Sequence, residues 1–220
     1  MTDYTLHSFM ESGNAYKAAL MLELSGADWR PVWVDFFNGE TRTLEFRALN
    51  VMGEVPVLVD HTTRDENDEN LTLSQSGTIL YHLCERFTDF APHSKMEDRE
   101  VLRWLLFDNQ KLTGMVGPYR FLTHFKQMEN EATEFLRGRM MNAFKVLETR
   151  LADREWVAAP HCTIADLSLC GYLFWPAEFG VDWKDFPAIA RWLARIEALP
   201  RYARPEQILP TAPDQGTGAA

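Results

Sequence analysis

Apolar positions follow two rhythms along the chain, and the change falls near residue 90. Before it, short β-branched and aromatic runs alternate with helical segments. YTLHSF (4–9), RPVWVDFF (30–37), VPVLVD (55–60) and LTLS (71–74) read as strands. Between them, GNAYKAALMLELSG (13–26) reads as a helix that Gly26 can stop. TRTLEFRALN (41–50) reads as a short helix and SQSGTILYHLCERF (74–87) as a third. The polar HTTRDENDEN (61–70) reads as a long acidic turn that makes the last two strands a hairpin. The first three strands are joined through helices, which requires crossover connections and parallel or mixed pairing. The predicted order over residues 1–87 is β-α-β-α-β-β-α.

After a short linker, TDFAPHS (88–94), the pattern becomes helical, giving a second, all-helical unit over 95–220 that ends in a tail. A long helical stretch spans 95–127, with a kink or break expected at Gly114, Gly117 and Pro118. Further helices are expected over 130–153, 162–179 and 185–200. The third of these is apolar nearly all round, so it should be buried. From about residue 203 the polar, proline-containing composition predicts a weakly ordered tail.

Charge narrows the range of partners. Lys and Arg number 22 against 32 Asp and Glu, a net charge of −10. That balance disfavours nucleic acid and anionic membrane surfaces. The excess lies in the first ninety residues, with 6 basic against 15 acidic side chains. The three cysteines (Cys84, Cys162, Cys170) form no CxxC pair, which fits buried thiols in a reducing cytoplasm. The six histidines show no metal-ligand spacing, so no metal is expected. No apolar run approaches the roughly 20 residues of a membrane helix, and MTDYTLHSF lacks the plan of a signal peptide.

Three motifs carry specific chemistry: SGN at 12–14, GEVPVLVD followed by LSQSGTILYHL, and CTIADLSL at 162–169. Together, in this order and spacing, they resemble the soluble glutathione S-transferase family, its bacterial serine/asparagine type, over essentially residues 4–200. The resemblance implies a thioredoxin-like α/β domain followed by an all-α domain, with glutathione as co-substrate. It also implies a homodimer in the cytoplasm that conjugates the glutathione thiolate to small apolar electrophiles. Glutathione-dependent disulfide reduction or peroxidase activity is an alternative, and so is a non-catalytic binding protein of the same fold.

In that frame Val55-Pro56 is a cis pair whose Val55 main chain pairs with glutathione as an added strand. Gln75 and Ser76 open a helix. There the Ser76 N–H and hydroxyl suit the α-carboxylate of the γ-glutamyl group, and Gln75 accepts from its α-amino group. Ser12 and Asn14 are the candidate thiol activators. A glutathione thiol near pKa 8.5 needs a donor or a helix N-terminus to become thiolate at neutral pH. Ser12 matches the serine-type position and Asn14 the asparagine of some bacterial members. Tyr4 lies too early to serve, and no cysteine is present there.

Glu54 stands where many relatives carry Gln or Lys against the glycine carboxylate. A glutamate there is expected to repel that group unless Lys17 or Arg42 intervenes. Among Trp104, Phe107, Met115, Tyr119 and Phe121, the residues chosen for the electrophile pocket are Met115 and Tyr119, which flank the expected kink. Asp108 is assigned to the γ-glutamyl amine of a partner subunit's ligand. Thr163-Ile-Ala-Asp166 has the form of a capping box, so Asp166 is expected to serve folding rather than chemistry.

Overall fold

The computed structural model describes residues 2–212. Four strands, β1 (Tyr4–Ser8), β2 (Trp29–Trp33), β3 (Val57–Arg64) and β4 (Asn70–Ser74), form one sheet in the order β2-β1-β3-β4. β1 pairs parallel with β2 and antiparallel with β3, and β3 pairs antiparallel with β4. The pairing is therefore mixed. The first crossover runs through α1 (Gly13–Leu24) and the second through α2 (Leu44–Leu49), which returns the chain to the opposite side of β1. β2 is an edge strand, which is why it tolerates Pro31, a residue with no N–H to donate.

The hairpin forms, but its turn is shorter than the polar composition suggests. β3 continues through His61–Arg64, and only residues 65–69 turn. Asp65 fixes that turn by accepting from the N–H groups of Asn67 and Glu69, and Asp68 takes a left-handed conformation. Polarity misled here because one face of β3 is solvated, so a strand can be polar and still pair. α3 (Ser76–Arg86) then packs beside α1. Together with the sheet these complete a thioredoxin-like α/β domain.

The helical domain comprises α4 (Lys95–Phe107), α5 (Thr113–Arg120), α6 (Glu131–Leu151), α7 (Ile164–Leu169) and α8 (Pro187–Glu197), followed by the short α9 (Pro205–Ile208). α5 runs through Gly114, Gly117 and Pro118 without breaking. The irregularities lie on either side, as π-helical turns at Asp108–Leu112 and Phe121–Phe125. Gly114 serves the first of these: a Cβ there would stand 2.5 Å from the Asn109 carbonyl oxygen.

Residues 162–179 are not one helix either. α7 ends at Leu169, and turns and a 3-10 segment (Pro176–Phe179) follow. The stop falls where the chain meets α1: a Cβ on Gly171 would lie 2.7 Å from the Gly13 carbonyl oxygen and 2.6 Å from the Lys17 side chain. The tail is also more ordered than its composition predicts, through residue 212. Leu209 is buried, and the Tyr16 hydroxyl donates to the Ala203 carbonyl at 2.8 Å. The rest of the expected tail, 213–220, lies outside the described residues.

Two buried polar clusters hold the domains. Lys17 on α1 is fully buried and pairs with Asp108 at 2.6 Å, and Thr113 and Ser168 complete the shell. Asp166 opens α7 as a capping box, accepting from the Thr163 N–H. Its other oxygen accepts from the Val157 N–H and the Trp192 indole, each at 2.9 Å. Burial pushes the Asp166 carboxyl above the usual carboxylate range, and these donors pull against it.

Candidate active site

The site lies where β1 runs into α1. Ser12 caps α1: its Oγ accepts from the Ala15 N–H at 3.1 Å, and the residue is only 4 % exposed. That bond uses a lone pair of the hydroxyl and leaves its O–H to donate. Asn14, one residue into the helix, is half-buried. Its Oδ1 faces the Ser76 hydroxyl at 3.4 Å, which leaves the amide N–H groups without a protein partner among the described residues. Gly13 lets Tyr172 pack against this turn: a Cβ there would meet the Tyr172 ring at 2.5 Å. Behind this turn, buried Arg120 donates to the Glu11 carbonyl at 2.6 Å and anchors the segment that presents Ser12.

Across from α1, the Val55-Pro56 bond is cis. The β3 ladder begins only at Val57, so the Val55 main chain stands outside it. Asn50 shapes the approach, donating to the Glu54 carbonyl at 2.8 Å and accepting from the Met52 N–H. Gln75 precedes α3 with φ +67°, and among the described residues no side chain caps that helix. The α3 N-terminus thus keeps its first N–H groups free for an anion.

A cleft of about 540 Å³ joins these elements, with Ser12, Asn14, Glu54 and Gln75 on its walls. Its apolar side is aromatic. Phe9 stacks on Phe36 at 4.7 Å, Phe37 meets Phe125 at 5.2 Å, and Phe36 meets Phe121 at 6.3 Å. This wall therefore spans both domains. The Tyr172 hydroxyl borders the same space, pushed above the ordinary tyrosine range by burial although Arg120 opposes the shift. The charged groups lining the cleft are Glu11, Glu54 and Arg120. Arg120 is already spent on Glu178, which accepts from its Nε at 2.5 Å.

Several expectations need correcting. Met115 and Tyr119 do not line the cleft: Met115 packs on the core, and Tyr119 borders a separate hollow beside α6. The helix periodicity explains this. Gly114, Gly117, Pro118, Phe121 and Phe125 share the cleft-facing stripe, and positions 115 and 119 fall off it. Trp104 is buried in the core against Phe107. Asp108 is fully buried and paired with Lys17, so it cannot reach a ligand in another subunit. The same pairing removes Lys17 as a counter-ion for Glu54. Asn109, next along the π-helical turn, does line the cleft.

One cluster was hidden by sequence distance. The donor atoms of His93, Glu97 and His161 all lie within 4.8 Å of one another. The two imidazoles stack with centroids 3.9 Å apart and planes 12° from parallel. Ring lone pairs lie in the ring plane, so in this arrangement they point alongside each other and do not converge on one ion.

Comparison with known proteins identifies the family of the fold. Residues 12–86 match the domain family "Glutathione S-transferase, N-terminal domain", and residues 112–200 match "Glutathione S-transferase, C-terminal domain". A possible glutathione S-transferase from Rhodopseudomonas palustris superposes with a TM-score of 0.82 at 33% identity, covering 93% of this chain and 98% of that one. The disulfide-bond oxidoreductase YfcG of Escherichia coli (strain K12) is 28% identical over 87% of this chain and 89% of its own length. Ure2p in complex with S-hexylglutathione superposes with a TM-score of 0.80 at 26% identity, covering 91% of this chain and 96% of that one. With both of its domains matched and the fold shared across nearly its whole length, the chain belongs to the glutathione S-transferase family.

Proposed function

We propose that this protein binds glutathione in the cleft and activates its thiol for attack on small apolar electrophiles. Val55 positions the peptide, Gln75 and Ser76 hold the γ-glutamyl end, and Ser12 and Asn14 donate to the sulfur. One observation carries the reading. Two side-chain donors without acceptors among the described residues, the Ser12 O–H and the Asn14 amide, meet at the N-terminus of α1 and share a cleft with the start of α3, which no described side chain caps. Holding the thiol about two pKa units below its free value needs about 2.7 kcal/mol of preferential stabilisation of the thiolate. Two charge-assisted hydrogen bonds and a helix N-terminus are of that size. The aromatic wall of Phe9, Phe36, Phe37, Phe121 and Phe125 suits an apolar second substrate.

The similarity to YfcG supports a second reading, glutathione-dependent disulfide reduction at the same cleft. In that case Asn14 alone would steady a thiolate that leaves and attacks by exchange. The test is retention on immobilised glutathione, then titration of the thiolate absorbance of the complex. We expect retention, and a thiolate signal at neutral pH that falls in Ser12→Ala or Asn14→Ala. Failure of the wild type to bind glutathione would sink both readings. Turnover of a glutathione mixed disulfide without conjugation of any aromatic electrophile would favour the second.

The protein is proposed to work in the cytoplasm, as three buried cysteines suggest. Among the described residues no helix is long and apolar enough to cross a membrane. A homodimer is proposed through α3 and α4. Leu102 is 50 % exposed and Leu106 61 %, and with Tyr81 they border an open hollow on that face.

A further inference from the structure

Glu54 is the residue whose expected role the geometry reverses. Its carboxylate does not stand alone at the cleft mouth: Oε2 accepts from the Gln75 amide nitrogen at 3.1 Å. That bond turns Gln75 in a definite sense. With its nitrogen on Glu54 and the Met52 sulfur, the Gln75 carbonyl oxygen is left without a donor among the described residues. The second oxygen of Glu54 has no partner there either. Two acceptors, one anionic, therefore sit side by side immediately before the free N–H groups of α3.

We propose that Glu54 is the counter-ion for the α-ammonium of the bound γ-glutamyl group, and that it selects ligands carrying that charge. This rests on the glutathione reading of the cleft. In an α-amino acid the carboxylate and ammonium are borne by the same carbon. A carboxylate on the α3 N-terminus thus brings its ammonium beside Gln75 and Glu54. An ammonium has three donors and no acceptor. A glutamine carbonyl can take one of them, but it supplies no charge, whereas Glu54 does. The alternatives for balancing the ammonium are poor. Asp108 is buried on Lys17, and Glu11 belongs to the segment before the α1 cap, where Arg120 anchors its carbonyl. Glu54 belongs to a loop held by Asn50, so its backbone is already in place before the ligand arrives.

The test is a two-by-two binding cycle by titration calorimetry. The ligands are glutathione and glutaryl-cysteinylglycine, which differ only in the α-ammonium. The proteins are the wild type and Glu54→Gln, a substitution at an exposed position that keeps the shape. We expect Glu54→Gln to weaken glutathione by about fivefold, the scale of a solvent-accessible ion pair. It should leave the glutaryl analogue within about twofold of its wild-type affinity, by the same scale. Equal losses for both ligands would overturn the proposal. So would tighter binding of glutathione, because then Glu54 faces the glycine carboxylate. A wild type that binds neither ligand would overturn the glutathione reading itself, and this assignment with it.

Discussion

At the scale of single residues, burial and partner count decide what a side chain does. Ser12 is both cap and candidate activator, because a hydroxyl accepts with its lone pairs and donates with its proton. The cysteines have no such freedom. Burial pushes the Cys84 thiol up to about 11, and Cys162 and Cys170 are raised as well, so none offers a reactive thiolate near neutral pH. Asp166 is the residue that the fold depends on most visibly. Removing its carboxylate orphans the Val157 and Thr163 N–H groups and the Trp192 indole at once. Asp166→Ala should therefore lower unfolding stability by about 3 kcal/mol or more, measured by urea denaturation. The folded fraction should keep its affinity for glutathione. A variant of unchanged stability that had lost only catalysis would contradict this assignment.

At the scale of elements, polar side chains tie together segments that sequence keeps apart. Lys17 and Asp108 join α1 to the π-helical turn after α4, fixing the cleft's two walls relative to each other. Asp60 does the same for β3 and α3 through His82 at 2.9 Å. Burial alone would raise the Asp60 carboxyl. Hydrogen bonds from Thr62 and His82 outweigh it and hold the group below the usual carboxylate range. A carboxylate with a depressed folded pKa stabilises the fold above its unfolded value of about 3.9. That contribution is lost as pH falls through the folded pKa. The urea midpoints of wild type and Asp60→Asn should thus differ by a constant amount above about pH 5, and the gap should close below about pH 4. A gap independent of pH down to pH 3, by the same linkage, would show that Asp60 acts through shape alone.

At the scale of the whole molecule, the candidate cleft is a product of two domains. The α/β domain supplies the polar groups proposed to hold a peptide thiol. The helical domain adds Phe121, Phe125 and the arginine that anchors the loop before Ser12. The proposed dimer rests on the exposed apolar side chains of α3 and α4. Leu102→Glu with Leu106→Glu should convert a dimer to monomers in sedimentation velocity while leaving the α-helical circular dichroism intact. A wild type that sediments as a monomer at all concentrations would refute the dimer.

Local chemistry by itself determined a good deal here. Strand and helix periodicity and a polar hairpin turn were enough for a β-α-β-α-β-β-α unit followed by helices, and three short motifs, by their resemblance to the family, implied the thioredoxin-like fold. They also singled out Ser12, Asn14, Val55, Gln75 and Ser76 as the residues of interest. These features are legible because each depends on neighbours within a few positions: a cap on its first turn, a turn on its glycine or proline. What only the tertiary structure decided depends on distance. Periodicity marks Asp108 as polar but not as the partner of Lys17, 91 residues away. It finds aromatic residues in and around α5 but not which stripe faces the cleft. It places Glu54 before Val55 but not against Gln75. Side-chain direction at such sites is fixed by packing between elements, and one-dimensional spacing carries no record of that.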